Sequence, residues 1–308
     1  MDTTARDAGG SMSRAIWLMT LSAVIFGFMA ITIRYASKQL HPFEIAFFRN
    51  VFGFLFAAPL LLRHGTGLLR TDRLPLYFGR CALGIVSMLA GFWALVNLPL
   101  AQAVALSYST PLFVTIGAVL VLGEVVGVRR WSAVLIGFVG VLVIVRPLGH
   151  DFTAGALIAV LAAAMSAAVA VSIKILSRTE RPDAIVLYTT LIWVPMSFVP
   201  ALFFWEWPNA ESWMWVTLAG FFGTTAHMCW TRALKIGDAS AITPISFVQL
   251  PVVAILAYML FDERLDRWTA LGSCIIFASN IYIAQREARL HRRAITDPEI
   301  RAEAEVLR

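Results

Sequence analysis

Apolar runs separated by short polar joints follow one another along the whole chain. They lie at Ala15 to Ile33, Glu44 to Leu62, Leu76 to Val96, Ala101 to Leu122, Trp131 to Val145, Ala154 to Ile175, Ala184 to Phe204, Trp213 to Trp230, Ile242 to Phe261 and Trp268 to Ala284. Each is close to the roughly 20 residues that a helix needs to cross a hydrocarbon core. None has the alternating polarity of a transmembrane barrel strand, and helices are the other way to satisfy a backbone in lipid. The pattern predicts an all-α integral membrane protein of ten transmembrane helices. The first run is too long for a signal-peptide core of about 7 to 15 residues and reads as a retained helix. The fifth run is short and is expected to begin a few residues earlier, with Arg129 and Arg130 snorkelling to the headgroups.

Composition sharpens this picture. Of 308 residues, 59% are hydrophobic and 14% charged, too little charge to clothe a soluble protein of this size. Cys81, Cys229 and Cys274 all fall inside apolar runs at no metal-ligand spacing, so neither a disulfide frame, a metal site nor a cofactor is indicated. The net charge of +6 does not point to nucleic acid, because the basic residues sit in joints and in the tail. Among the basic residues only Arg34, Lys38, Arg146, Arg264 and Arg267 fall in segments on the outer side if the N-terminus is inside, and Arg49 lies within a run. By the positive-inside rule both termini are expected to be cytoplasmic. Residues 1–13 are expected to be disordered, and residues 286–308 to form a charged tail.

The chain also repeats. Ile31-Thr32-Ile33-Arg34 is matched by Val171-Ser172-Ile173-Lys174, Ala94-Leu95 and Glu124 by Ala233-Leu234 and Glu263, and Arg130-Trp131-Ser132-Ala133 by Arg267-Trp268-Thr269-Ala270. The common offset of roughly 140 residues divides the chain into two five-helix halves, residues 14–146 and 152–285. Because five is odd, the second half enters the membrane from the opposite face. Such inverted repeats place a site near the midplane and expose it to each side in turn.

The candidate site follows from proline. Pro111 and Pro251 stand near the middle of the fourth and ninth runs, where each is expected to free a backbone carbonyl, that of Ser107 and that of Phe247. Pro244 would likewise free Ser240. With Ser107, Tyr108, Ser246 and Gln249 alongside, a polar patch at mid-depth is expected, a plain packing kink being the alternative. Arg49 is a cation inside a span, where charge is costly and usually faces the interior. It reads either as a ligand for an anionic or zwitterionic group or as a structural tie, with Glu44 an imperfect partner. Arg80, a turn into the third helix, either contacts substrate or snorkels. Trp93, Trp193 and Trp230 could stack on a flat ring or belong to the interfacial aromatic belt. His227 could titrate near neutrality or serve as a hydrogen-bonded core residue. Glu124 and Glu263 are expected to accept backbone N–H groups that open the helix following each, with a gate or proton carrier as the other reading.

Ala46-Phe47-Phe48-Arg49, Arg80, Ala94-Leu95, the run from Pro111 to Gly123-Glu124 and the duplicated unit together resemble the EamA branch of the drug/metabolite transporter superfamily. The resemblance spans roughly residues 14–285, with Asp262-Glu263 standing where Gly-Glu would be expected. Gly27-Phe28-Met29-Ala30 followed by Ala46-Phe47-Phe48-Arg49 looks most similar to bacterial riboflavin or S-adenosylmethionine uptake members. The resemblance implies a secondary, non-ATP transporter of a small polar metabolite, in a superfamily that also moves amino acids, nucleotide sugars and cationic drugs. The residues and the resemblance together lead to an anionic or zwitterionic cargo, with a flat ring as an optional feature, in a monomer or homodimer. A scaffold or sensor without transport and an intramembrane enzyme are the alternatives. An enzyme of that kind would need paired acids, an activated nucleophile or a metal cluster within the spans, and none is evident.

Overall fold

The computed structural model describes residues 3–64, 74–123, 127–147, 153–176, 182–236 and 242–296, which are helical with no strand among them. The helices are α1 (Thr3–Ala36), α2 (Pro42–His64), α3 (Leu74–Asn97), α4 (Leu100–Ser107), α5 (Thr110–Leu122), α6 (Val128–Val145), α7 (Ala154–Leu176), α8 (Pro182–Leu202) and α9 (Ala210–Ile236). A 3-10 segment, Thr243–Val248, then leads into α10 (Gln249–Phe261), and α11 (Arg267–Thr296) follows. Six stretches among the described residues are long and apolar enough to cross a membrane, two of them running through the α4–α5 and 3-10–α10 junctions. Leu120, Val121, Leu135, Ile136, Val139 and Leu142 leave their side chains exposed, apolar surface of the kind that lipid covers.

The bounds follow the apolar runs with five corrections. Helix α1 starts at Thr3, so residues 3–13 continue the first span as helix where disorder was expected. Helix α9 runs on to Ile236 past the expected end at Trp230, and α11 to Thr296 past Ala284. The fourth run is two helices, not one kinked helix, and the ninth opens as a 3-10 segment. Proline explains both breaks: it lacks the N–H that a helix interior needs but is at home in the first turn, where that N–H has no partner. Pro111 accordingly starts α5, and Pro244 starts the 3-10 segment. The fifth run does begin early, at Val128.

Small residues set the closest packing. Helix α1 lies along α9 and α3 along α7, with Ser22 Oγ donating to Ala226 O and Ser87 Oγ to Ala162 O, both at 2.9 Å. The alanine-dense stretch of α7 buries Ala162, Ala163 and Ala167, as expected where backbones approach. Helices α6 and α11 cross at Gly140 and Gly272, where a Cβ on either would stand 2.8 or 2.5 Å from the other's carbonyl oxygen.

One end of the bundle, here termed distal, gathers the α1–α2 turn, the ends of α3, α6 and α10, and the starts of α4, α7, α9 and α11. Gln39 donates to Trp207 O at 3.1 Å and accepts from Asn209 N–H at 3.0 Å. Arg146 pairs with Asp266 at 3.0 Å. Tyr35 stacks on Trp215 at 4.4 Å and His41 on Phe204 at 3.7 Å.

Candidate functional site

The α4–α5 break accounts for its own backbone. Val104 O accepts from Ser107 Oγ, Leu106 O from Ser109 Oγ, and Ser107 O from Thr110 Oγ1, at 2.6 to 2.8 Å. Tyr108 O accepts from Asn280 Nδ2 at 2.9 Å, and Ser109 O from Leu112 N–H at 3.0 Å. The carbonyl of Ser107 freed by Pro111 is thus already taken, so the hydroxyls expected to line a polar patch are engaged in satisfying the break. The carbonyl of Ser240 lies outside the described residues. Tyr108 crosses to the other half, its hydroxyl donating to Ser246 O at 2.6 Å and lying 3.2 Å from Gln249 Oε1, its ring 3.9 Å from that of Phe247. Tyr108, Ser246 and Gln249 are therefore brought together as expected. Pro251 sits in the first turn of α10 with an exposed ring, and Ser107 is exposed beside the break.

A second cluster forms on α1, α2 and α9. Arg49 is the eighth residue of α2, about 10 Å along the helix from its distal end at 1.5 Å per residue. A Cβ on Gly223 would stand 2.8 Å from Arg49 Nη2, 2.9 Å from Nε and 3.0 Å from Met29 Sδ. Only glycine lets the guanidinium lie flat against α9 here. His227, one turn on, is close enough to feel that charge, and its ring meets Phe26 at 5.2 Å and Trp230 at 6.3 Å, both edge-on. Arg49 Nη1 donates to Asn50 Oδ1 at 3.0 Å, while Arg49 Nε is buried without a hydrogen-bond partner. Among the described residues Arg49 has no acidic partner. Glu44 is occupied elsewhere: fully buried, it accepts His41 N–H at 2.9 Å as a capping box of α2, and Glu206 N–H at 2.6 Å.

Three other candidates stand apart from these clusters. Arg80 does not snorkel; it is buried between α3 and α8, donating to Thr189 Oγ1, with its Nε unpartnered. Trp93 packs at the distal start of α7, its ring 3.1 Å from a Cβ on Gly155. Trp193 lies over Gly84 and donates to Cys81 O at 3.2 Å.

Glu263 does accept a backbone N–H, but not from the helix that follows it. Its Oε2 takes Leu100 N–H at 2.8 Å, opening α4 in the other half, while its Oε1 pairs with Arg34 at 2.5 Å. Helix α11 is capped by Asp266, whose Oδ2 accepts Thr269 N–H at 3.3 Å. The matching Glu124 lies outside the described residues. A pocket of about 330 Å³ is also at the distal end, lined by Gln39, His41, Glu44, Val96, Phe204 and Glu206 among others, rather than at mid-depth beside the prolines. The sequence reading missed Arg34, Asn50, Thr189 and Asn280, all polar residues at or within apolar runs; that position was the available signal.

Long apolar helices, broken at mid-depth and carrying a buried guanidinium with no acidic partner among the described residues, define a multi-pass membrane protein with a polar interior. The chain belongs to the EamA-like transporter family, whose model matches it twice, over residues 13–146 and 153–285. It is similar to a riboflavin transporter of Vibrio cholerae, 31% identical over 91% of this chain and 95% of that protein. It is also similar to an S-adenosylmethionine uptake transporter of Rickettsia prowazekii, 28% identical over 89% and 92%, and to a pseudopaline exporter of Pseudomonas aeruginosa, 25% identical over 89% and 97%. A solved crystal structure, 20% identical, superposes on 90% of this chain and 98% of its own with a TM-score of 0.64, a likeness of fold. Membrane transport of a small metabolite is the activity these relatives share.

Proposed function

We propose that this protein is a secondary transporter of a small zwitterionic or anionic metabolite, working by alternating access between two inverted five-helix repeats in a bacterial inner membrane. The observation that carries the cargo class is Arg49. A guanidinium inside a span is costly, about 2.5 to 3.5 kcal/mol at the bilayer centre on insertion scales and less toward its edges, and here no acid among the described residues offsets it. A carboxylate or phosphate on the cargo would. His227, on the same face of α9 as Gly223, supplies a ring beside it, with Trp230 edge-on to that ring, and Tyr108 with Gln249 supplies polar groups where the helices break. Arg80, apart from this cluster between α3 and α8, is a second buried guanidinium.

The packing supports the inverted relation. Exchanging the halves turns α1 on α9 into α7 on α3, and α1 on α10 into α7 on α5; α2 on α8 and α6 on α11 map onto themselves. The serine bonds obey the same exchange, since Ser22 and Ala162 occupy matching positions, as do Ser87 and Ala226. Gly123 (φ 67°) and Asp262 (φ 54°) both end their helices in the left-handed conformation ahead of a glutamate, so the aspartate reproduces what glycine does in the first half. With the N-terminus inside, the distal end is the outer end and the chain makes ten passes.

S-adenosylmethionine carries an amino-acid carboxylate and riboflavin carries none, so of these two the Arg49 reading favours the former. Purified protein in proteoliposomes should take up S-adenosylmethionine saturably and more tightly than riboflavin. Failure to move either of them, or any amino acid or nucleotide sugar, would overturn the proposal.

A further inference from the structure

Arg34 and Glu263 form a pair that reaches beyond itself. The guanidinium sends Nη2 to Glu263 Oε1 at 2.5 Å and Nη1 to Leu95 O at 3.1 Å and to Val96 O, at the end of α3. The other carboxylate oxygen takes Leu100 N–H at 2.8 Å, at the start of α4. Those carbonyls and that N–H are the orphan groups of two helix ends, partially negative at the end of α3 and partially positive at the start of α4. The cation therefore meets the negative end and the anion the positive one.

Arg34 on α1 and Glu263 after α10 belong to helices that pack on each other, α3 lies against α7, and α4 lies against both α7 and α10. The ion pair thus stands on α1 and the end of α10, and its socket is the turn from Leu95 to Leu100, where α3 gives way to α4. We infer that Arg34 and Glu263 are positioning residues for transport: a dipolar plug that holds the outer end shut, and that leaves the α3–α4 turn as an intact ion pair when that end opens. This rests on the transport reading above. The plug is partly exposed, with side chains 21% and 19% accessible, so water can replace the socket when it separates.

A charge swap separates this plug from an ordinary salt bridge. Arg34→Glu with Glu263→Arg keeps the attraction but turns the acid toward the α3 carbonyls and the guanidinium toward Leu100 N–H. Arg34→Lys keeps the charge and loses the fork that spans Glu263 and the carbonyls. The readout is the labelling rate, by a membrane-impermeant thiol reagent added outside, of a cysteine at Val104, buried below Leu100, in a background lacking Cys81, Cys229 and Cys274. Labelling should rise about tenfold or more in Glu263→Gln, in Arg34→Lys and in the swap alike, with melting temperatures near that of the parent. Parental labelling restored by the swap would reduce the pair to a simple salt bridge, and unchanged labelling in all three would remove the latch. The assay needs no cargo, so it can fail while uptake stands, and uptake can fail while it succeeds.

Discussion

Gly223 and Gly220 lie one turn apart on α9, and alanine at each should do different things. At Gly223 the new Cβ would meet Arg49 Nη2 at 2.8 Å, Arg49 Nε at 2.9 Å and Met29 Sδ at 3.0 Å, whereas ordinary contact begins near 3.4 Å. These are the far ends of flexible side chains, so both can yield by about half an ångström. The helix gains up to about 1 kcal/mol of propensity from alanine, which offsets that strain. Folding should therefore survive Gly223→Ala while the guanidinium moves. A charge-assisted hydrogen bond contributes about 1.5 to 3 kcal/mol; misaligning it by that displacement should cost roughly half, about 1 kcal/mol, or about fivefold in KM. At Gly220 the Cβ would meet Phe52 Cβ at 2.5 Å, Gly53 N at 3.1 Å and Arg49 O at 3.2 Å. Backbone cannot yield in the same way, and overpacking of this kind costs about 1 to 3 kcal/mol. Thermal melts in detergent should show Gly220→Ala well below the parent and Gly223→Ala near it, and proteoliposome uptake should show the raised KM in Gly223→Ala. A parental KM in Gly223→Ala, or a melt as low as that of Gly220→Ala, would refute the reasoning.

Other outcomes follow from the same geometry. Ser22→Ala and Ser87→Ala should each cost about 0.6 to 1.7 kcal/mol, as interhelical hydrogen bonds in membranes do; denaturation of the double variant should give their sum, and a strongly non-additive result would deny that they belong to separate, symmetry-related interfaces. Gly272→Ala should lower the melting temperature more than either serine change, because Gly140 O stands 2.5 Å from the new Cβ; an unchanged melt would show that the α6–α11 crossing is looser than described. Burial lowers the His41 imidazole below its ordinary 6.5, and its Nδ1 accepts Phe43 N–H at 3.4 Å, which requires the neutral ring. The unfolded chain then binds the proton more readily, so stability is present above about pH 6.5 and lost as pH falls through that value toward the lowered one. Outer-side thiol labelling of a cysteine at Ser37, divided by that of the same cysteine in the denatured chain so that thiolate titration cancels, should rise on acidification in the parent and stay flat in His41→Phe; equal pH dependence in the two would contradict this.

The helices were legible because lipid imposes one rule, about 20 apolar residues per span; six stretches among the described residues meet it, while α1, α9 and α11 run on beyond their apolar parts. The prolines were legible as interruptions but not as helix starts. Whether Pro111 bends a helix or opens a new one depends on whether Ser107, Ser109, Thr110 and Asn280 can satisfy the carbonyls it releases, and Asn280 is far away in sequence. Glu263 shows the same limit. Its role as a cap could be read from its place after an apolar run, yet the N–H it accepts belongs to Leu100, which only the fold brings near. Arg49 was visible as a charge inside a span; that Asn50 rather than Glu44 answers it depends on the direction of side chains around α2.

The central claim is that the buried guanidinium of Arg49 receives the negative group of a transported metabolite. It is tested most directly by initial rates of S-adenosylmethionine uptake into proteoliposomes for the parent, Arg49→Lys and Arg49→Gln, each matched for melting temperature. Saturable uptake by the parent, lost at least tenfold in Arg49→Gln and partly retained in Arg49→Lys, is the predicted result. Equal uptake by the parent and Arg49→Gln would contradict it.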